Sequence, residues 1–332
     1  MNDKTTIPLT ASEISNLWAN YLDDSMVIIG FRYFLNHCDD QEIREILATA
    51  LEYSKQHIYK LTTLFQSENF PIPRGFTDQD VNVNAPRLFS DVLYLHYLVH
   101  MCQYSMTVYS LALSTAARPD IISYFSECLH QAIQLHSKAK ALMQSKGLFE
   151  RDPIIPIPET IDFVKKQTFL AGWFGDRRPI SGVEISNLFL NMKLCELGKA
   201  ISIAFSQVAD SKEVKKYMVR GREIATKHFD IFSTILKEED LPSPSSLVDQ
   251  VTNSTESPFS DKLLLFHLNL LVTFGIGQYG TSLSFSPRHD IGGHYTRLIG
   301  ELLHYSEDGL NMMIDNEWLE QFPLSSNREK LK

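Results

Sequence analysis

The feature that most constrains this chain is an internal repeat. The segment Glu13–Leu17 recurs unchanged as Glu184–Leu188, an offset of 171 residues. Further identities keep this register and then, after one deletion, an offset of 170 residues: Asn20 with Asn191, His57 with His228, Pro71 with Pro242, Ser90 with Ser260, Tyr109 with Tyr279 and Arg118 with Arg288. The chain is therefore a tandem duplication, and each copy predicts the structure of the other.

Each copy predicts four long helices, named A to D, because apolar residues recur at helical spacing between capping residues. Helix A begins with a capping box in both copies, in which a hydroxyl and a glutamate three residues later bond each other's backbone. The predicted capping residues of helices A to D are Thr10, Asp39, Ser90 and Asp120 in the first copy and Ser181, Asp210, Ser260 and Asp290 in the second.

The connections between these helices predict the topology. The A–B and C–D links, near Cys38 and Arg118, are only a few residues long, so each pair is expected to be antiparallel. The B–C link, from Asn69 to Phe89, has about twenty residues and can reach roughly 66 Å, enough to run back along the bundle. We therefore predict an all-α fold. It is a tandem duplication of a ferritin-like four-helix bundle, up-down-down-up, at residues 8–150 and 179–322, with a linker at 151–178.

Composition narrows the class of protein. The net charge of -9 argues against a nucleic-acid partner, whose phosphates attract a basic surface. The polar residues Met1–Thr10 lack the apolar core of a signal peptide, and no run reaches the roughly 18 apolar residues of a membrane span. The four cysteines have no metal-binding or disulfide spacing. We expect a cytoplasmic protein without membrane insertion.

Two motifs connect the chain with a known family. One is Trp173–Pro179 leading into Glu184–Leu188, and the other is the turn Ser114…Arg118-Pro119-Asp120 with its repeat Ser284…Arg288-His289-Asp290. From about residue 8 to 322 the chain resembles an uncharacterised family of duplicated ferritin-like proteins from spore-forming bacteria. Some members carry the label "putative spore coat protein". The resemblance implies a fold and an association with spores, but no activity and no catalytic residues.

A ferritin-like bundle suggests a di-iron or di-manganese site, which needs a carboxylate from two helices and Glu-x-x-His from two others. Helix D offers Glu127-x-x-His130 in the first copy and Glu301-x-x-His304 in the second, but these motifs are not repeat equivalents. Helix C contains no Asp or Glu between residues 92 and 119 or between 262 and 288. The usual di-metal site is therefore not predicted.

Other histidines are candidates for a different metal site. His57 and His228 occur at the same position of both copies, and they would serve either as metal ligands or as buried histidines that hydrogen-bond across the bundle. His96 and His100 share one face of helix C and could bind a metal with a third donor, Asp23 or Asp24. Iron, manganese or zinc would suit such sites, although no cofactor is expected.

The sequence contains no nucleophile motif, phosphate loop or dinucleotide fingerprint, so enzyme activity is not predicted. The first hypothesis is a non-enzymatic structural or interaction protein, spore-associated or coat-like, that contacts a protein partner or itself. The alternative is a divergent metal-binding ferritin-like protein, an oxidoreductase or metal store, with a non-standard site in the first bundle. A small-molecule site between helices is a third hypothesis that the sequence does not test.

Overall fold

The computed structural model describes residues 7–173 and 177–330, and Phe174–Asp176 of the motif above lie outside this part. Within the described residues the chain forms helices and no named strand. The long helices are α1 (Ala11–His37), α2 (Gln41–Ser67), α3 (Asp91–Thr115), α4 (Pro119–Ser145), α5 (Gly182–Val208), α6 (Lys212–Lys237), α7 (Asp261–Ser284) and α8 (His289–Asp315). The predicted all-α duplication is confirmed, with α1–α4 as the first copy and α5–α8 as the second.

Both copies consist of two short hairpins joined by a long crossover. Residues 38–40 connect α1 to α2 and residues 116–118 connect α3 to α4, whereas residues 68–90 form the crossover. Contacts between α1 and α2, between α3 and α4, and between α2 and α4 close the first bundle. This agrees with the predicted connectivity, while a relationship to the ferritins stays a prediction.

The predicted starts of helices A and C are confirmed. Thr10 and Ser181 form capping boxes, and the hydroxyls of Ser90 and Ser260 each accept a hydrogen bond from a backbone N–H in the first turn.

The predicted start of helix B is one residue too early in both copies. The capping residues are Asp40 and Ser211, not Asp39 and Asp210. Asp39 instead gives its backbone N–H to the carboxylate of Asp91 at the start of α3. The adjoining helix thus uses this backbone group, and the side chain of the next residue caps α2.

The prediction that Asp120 and Asp290 cap helix D is wrong. Asp120 is bound by two nitrogens of the Arg118 guanidinium, and the backbone N–H of Arg118 is accepted by Glu13 at 2.8 Å. In the second copy the corresponding residues are Arg288, Asp290 and Glu184. The capping-box glutamate of the first helix therefore also holds the start of the fourth.

The two copies contact each other through their crossovers. Val81 forms an antiparallel bridge with Phe259, and Phe89 forms one with Val251. The 170-residue offset of the repeat converts each of these bridges into the other. It also relates the hydrogen bond from Ser90 Oγ to Gln250 to the one from Ser260 Oγ to Asp80, both 2.7 Å. The copies are therefore related by an approximate internal twofold axis.

The same axis passes through the hydrophobic core. The Tyr97 hydroxyl lies 2.9 Å from Nε2 of His267, and these two residues occupy the same repeat position. One apolar cluster contains buried residues of both copies, including Phe34, Leu95, Phe205 and Leu265. The two copies therefore share one hydrophobic core.

Helix α7 alone, within the described residues, is long and apolar enough to cross a membrane by length and composition. Half of its most apolar window is buried inside the protein. It packs against α5 and α8 in the second bundle. A helix buried in a protein core can be as long and as apolar as a membrane span.

Candidate functional site

The polar interior of the first bundle is centred on His57, which α2 directs between α1 and α4. Its Nδ1 lies 3.0 Å from Oδ2 of Asp24, and its Nε2 lies 2.7 Å from Oε1 of Gln131. Because both neighbours are acceptor oxygens, both ring nitrogens carry hydrogen. Burial alone would lower the pKa of His57, but the charge and hydrogen bond of Asp24, with a smaller contribution from Cys128, raise it to about 11. His57 is therefore an imidazolium ion, neutralised by Asp24 inside the bundle.

The second bundle contains the equivalent His228 in a different charge state. Its Nε2 lies 3.1 Å from Glu301, and its Nδ1 lies 3.1 Å from the hydroxyl of Tyr279, which can donate to it. Burial lowers the pKa of His228 despite the contact with Glu301, which Lys227 also neutralises. His228 is therefore neutral at pH 7.

The side chains that contact the two histidines differ between the copies. In the first copy α1 supplies Asp24 and α4 supplies Gln131, whereas Cys195 and Glu301 occupy these positions in the second. Each histidine has one carboxylate, but on the opposite side of the bundle. Since all four ring nitrogens are hydrogen-bonded to protein groups, neither histidine has a free nitrogen for a metal ion.

The two Glu-x-x-His motifs do not form sites of their own. Glu127 and His130 are exposed, with Glu127 bonded to Lys60 and His130 to Gln134. His304 is exposed as well, while Glu301 turns inward to His228. Across the described part of the chain no three His, Cys, Asp or Glu side chains converge as metal ligands would. Metal ligation by any of these residues stays a prediction.

His96 and His100 line a cleft of about 280 Å³ between the halves, together with Glu150, Lys193 and Glu196. Burial lowers the pKa of His100 to about 4, so this ring is neutral at pH 7. The expected third donors lie elsewhere: Asp24 binds His57, and Asp23 accepts a hydrogen bond from Tyr104.

A second cavity, of about 190 Å³, lies in the first bundle and extends to the second. Its walls come from six helices, α1 to α5 and α7, and they include Asp23, His100, Tyr104, Leu194 and Phe274. Sequence reasoning missed this cavity because its walls meet only when the two copies pack together. A residue-by-residue comparison of the copies would have flagged these positions, since they differ in polarity.

Comparisons with known proteins identify a family but no activity. A model of the family described as "Protein of unknown function (DUF3231)" matches the chain twice, at residues 1–161 and 168–331. Among solved structures the chain is similar to a "putative spore coat protein" from Bacillus halodurans C-125, at 22% identity and a TM-score of 0.40. The match covers 48% of this chain and 100% of that one. No curated protein matches the chain.

Proposed function

Because the chain belongs to the DUF3231 family, whose function is unknown, we propose its role from its geometry: it is a non-enzymatic structural or interaction protein, associated with spores or their coat. The spore association rests on the family resemblance described above.

The main support for this proposal is that the side chains around the two buried histidines differ between the copies. A catalytic or metal-binding constellation requires particular side chains at fixed positions. Here Asp24 is replaced by Cys195 and Gln131 by Glu301, yet each histidine keeps its hydrogen bonds within the bundle. The features that both copies retain are the capping boxes, the crossovers and the arginine turns, all of which hold helices together. Retention of structural features with loss of equivalent polar sites favours a scaffold.

A surface suited to protein contacts lies in the segment between the copies. This segment exposes six large apolar side chains: Ile154, Ile155, Ile157, Ile161, Phe163 and Val164. Ile157 is 93% exposed and Ile161 is 89% exposed. Exposed apolar side chains concentrated in one segment favour a contact surface. It supports an interaction role.

Metal analysis tests the structural role against the metal-binding alternative. We expect protein purified without chelators to contain less than about a tenth of an equivalent of iron, manganese or zinc, because the buried histidine nitrogens are already bonded. A stoichiometric metal that is lost in both His57→Gln and His228→Gln would overturn the proposal and favour a metal-binding protein.

Fractionation tests the spore association separately. Vegetative cells, sporulating cells and purified spores of the source organism would be compared with an antibody against the full chain. We expect the protein in sporulating cells and in coat extracts. Its presence in vegetative cells alone would remove the spore association and leave the structural role standing.

A further inference from the structure

The cavity of about 190 Å³ is lined by residues of both copies, most of them from the first. In three repeat-equivalent pairs the first copy contributes a polar side chain and the second an apolar one: Asp23 and Leu194, His100 and Leu270, and Tyr104 and Phe274. All six line the same cavity because the internal twofold axis brings equivalent positions together. Divergence of the two copies has therefore produced one amphiphilic cavity.

Among the lining side chains, one carboxylate has no cation beside it. Asp23 accepts a hydrogen bond of 2.9 Å from the hydroxyl of Tyr104, and within residues 7–173 and 177–330 no Lys, Arg or His pairs with it. The neighbouring Asp24 is already neutralised by His57. The rings of His100 and His267 also face the cavity and are neutral, because burial lowers the pKa of each to about 4. The lining thus has a net charge of about -1 when Asp23 is ionised.

The cavity is also open to solvent. Ala19 and Asp23 on α1 and Ser105 and Val108 on α3 line it and are only half-buried. Solvent therefore reaches the part of the lining beside the Asp23 carboxylate. The volume is slightly larger than that of an engineered apolar cavity of about 150 Å³ that holds benzene in another protein, so it suits an apolar body of roughly eight non-hydrogen atoms with a head group on the solvent-reached side.

We propose that this cavity binds a small amphiphilic amine, with its apolar body against Leu194, Leu270 and Phe274 and its ammonium group on Asp23. The ammonium provides a cation for the Asp23 carboxylate, which has none among the described residues. The apolar wall removes the hydrocarbon part from water. This binding does not depend on where in the cell the protein acts.

Three probes with one skeleton and different head groups test the proposal: 2-phenylethylamine, 2-phenylethanol and phenylacetate. Isothermal titration calorimetry would be run on the full chain at pH 8, above the pKa of Asp23, which burial raises to about 7. We expect the amine to bind about tenfold to a hundredfold more tightly than the alcohol, as a charge-assisted hydrogen bond predicts, and the anion not to bind.

Variants test whether the preference for the amine depends on residues of this cavity. Asp23→Asn should reduce amine affinity to that of the alcohol and leave alcohol affinity unchanged, while Asp162→Asn, which removes an exposed carboxylate, should change neither. Ala19→Phe should fill the part of the cavity beside Asp23 and abolish binding of both. The proposal is overturned if wild-type protein does not bind the amine at its highest soluble concentration, or binds phenylacetate as tightly. It is also overturned if the preference survives in a folded Asp23→Asn variant.

Discussion

At the scale of single residues, the two buried histidines show how one position acquires two charge states. His57 contacts two acceptor oxygens, one of which belongs to the buried carboxylate of Asp24, so it holds a proton. His228 contacts a hydroxyl and a carboxylate that Lys227 already neutralises, so burial dominates and the ring stays neutral. The backbone position is the same, and only the neighbouring side chains decide the outcome.

Histidine side-chain NMR at pH 8 should therefore show an imidazolium signal for His57 and a neutral ring for His228. In Asp24→Asn the pKa of His57 should fall and its imidazolium signal should weaken, since the largest contribution that raises this pKa is lost while burial remains. A neutral His57 in the wild-type protein would contradict the assignment of the ion pair. His228→Gln serves to identify the second signal.

The raised pKa of His57 also makes the free energy of unfolding depend on pH. The folded protein keeps this proton up to about pH 11, whereas the unfolded chain releases it near 6.5. The contribution is thus complete below pH 6.5 and is lost as pH rises towards 11, by about 1.4 kcal/mol per pH unit. Urea unfolding between pH 7 and 9 should show this loss in the wild type relative to Asp24→Asn. If the free energy of unfolding changes equally with pH in both proteins, the ion pair does not make this contribution.

At the scale of helices, one glutamate per copy connects two helix starts. Glu13 accepts hydrogen bonds from the backbone and hydroxyl of Thr10 and from the backbone N–H groups of Ala117 and Arg118. Burial would raise the pKa of Glu13, but these hydrogen bonds lower it to about 2. Glu184 repeats the arrangement with Ser181 and Arg288. The capping box is therefore part of the tertiary structure.

Loss of this charge should destabilise the protein. A pKa lowered from 4.5 to about 2 corresponds to about 3 kcal/mol, present above pH 4.5 and lost as pH falls to 2. We expect Glu13→Gln to lower the free energy of unfolding at pH 7 by about this amount and to weaken its dependence on acid. Glu127→Gln, an exposed control, should change it by less than about 0.5 kcal/mol. Similar losses in both variants would contradict the role of Glu13.

At the scale of the whole molecule, the two copies form one folded body because their crossovers and core are shared. We expect a single thermal transition, with equal calorimetric and van't Hoff enthalpies. Phe259→Ala, in the bridge between the crossovers, should lower the free energy of unfolding of the whole chain by about 3–5 kcal/mol. Tyr59→Ala, at an exposed position, should leave this free energy nearly unchanged. Two transitions, of which Phe259→Ala moves only one, would show independent domains.

The exposed apolar segment between the copies predicts self-association at this scale. Light scattering over a concentration series should show oligomers for the wild type. A variant with Ile157→Ser, Ile161→Ser and Phe163→Ser should remain monomeric, with unchanged helix content by circular dichroism. If both proteins are monomeric, the segment does not mediate self-association.

The sequence by itself determined the duplication, the helices and the hairpins, because periodicity, caps and link lengths are local properties. Its errors concerned helix starts: Asp39 and Asp120 look like caps, but Asp40 caps α2, and at the start of α4 the N–H groups of Ala117 and Arg118 bond to Glu13 of α1. The contact between the copies, the charge states of His57 and His228, and the cavity beside Asp23 were decided only by the tertiary structure. Each depends on residues far apart in the chain, and their distances are fixed by the packing of helices against one another.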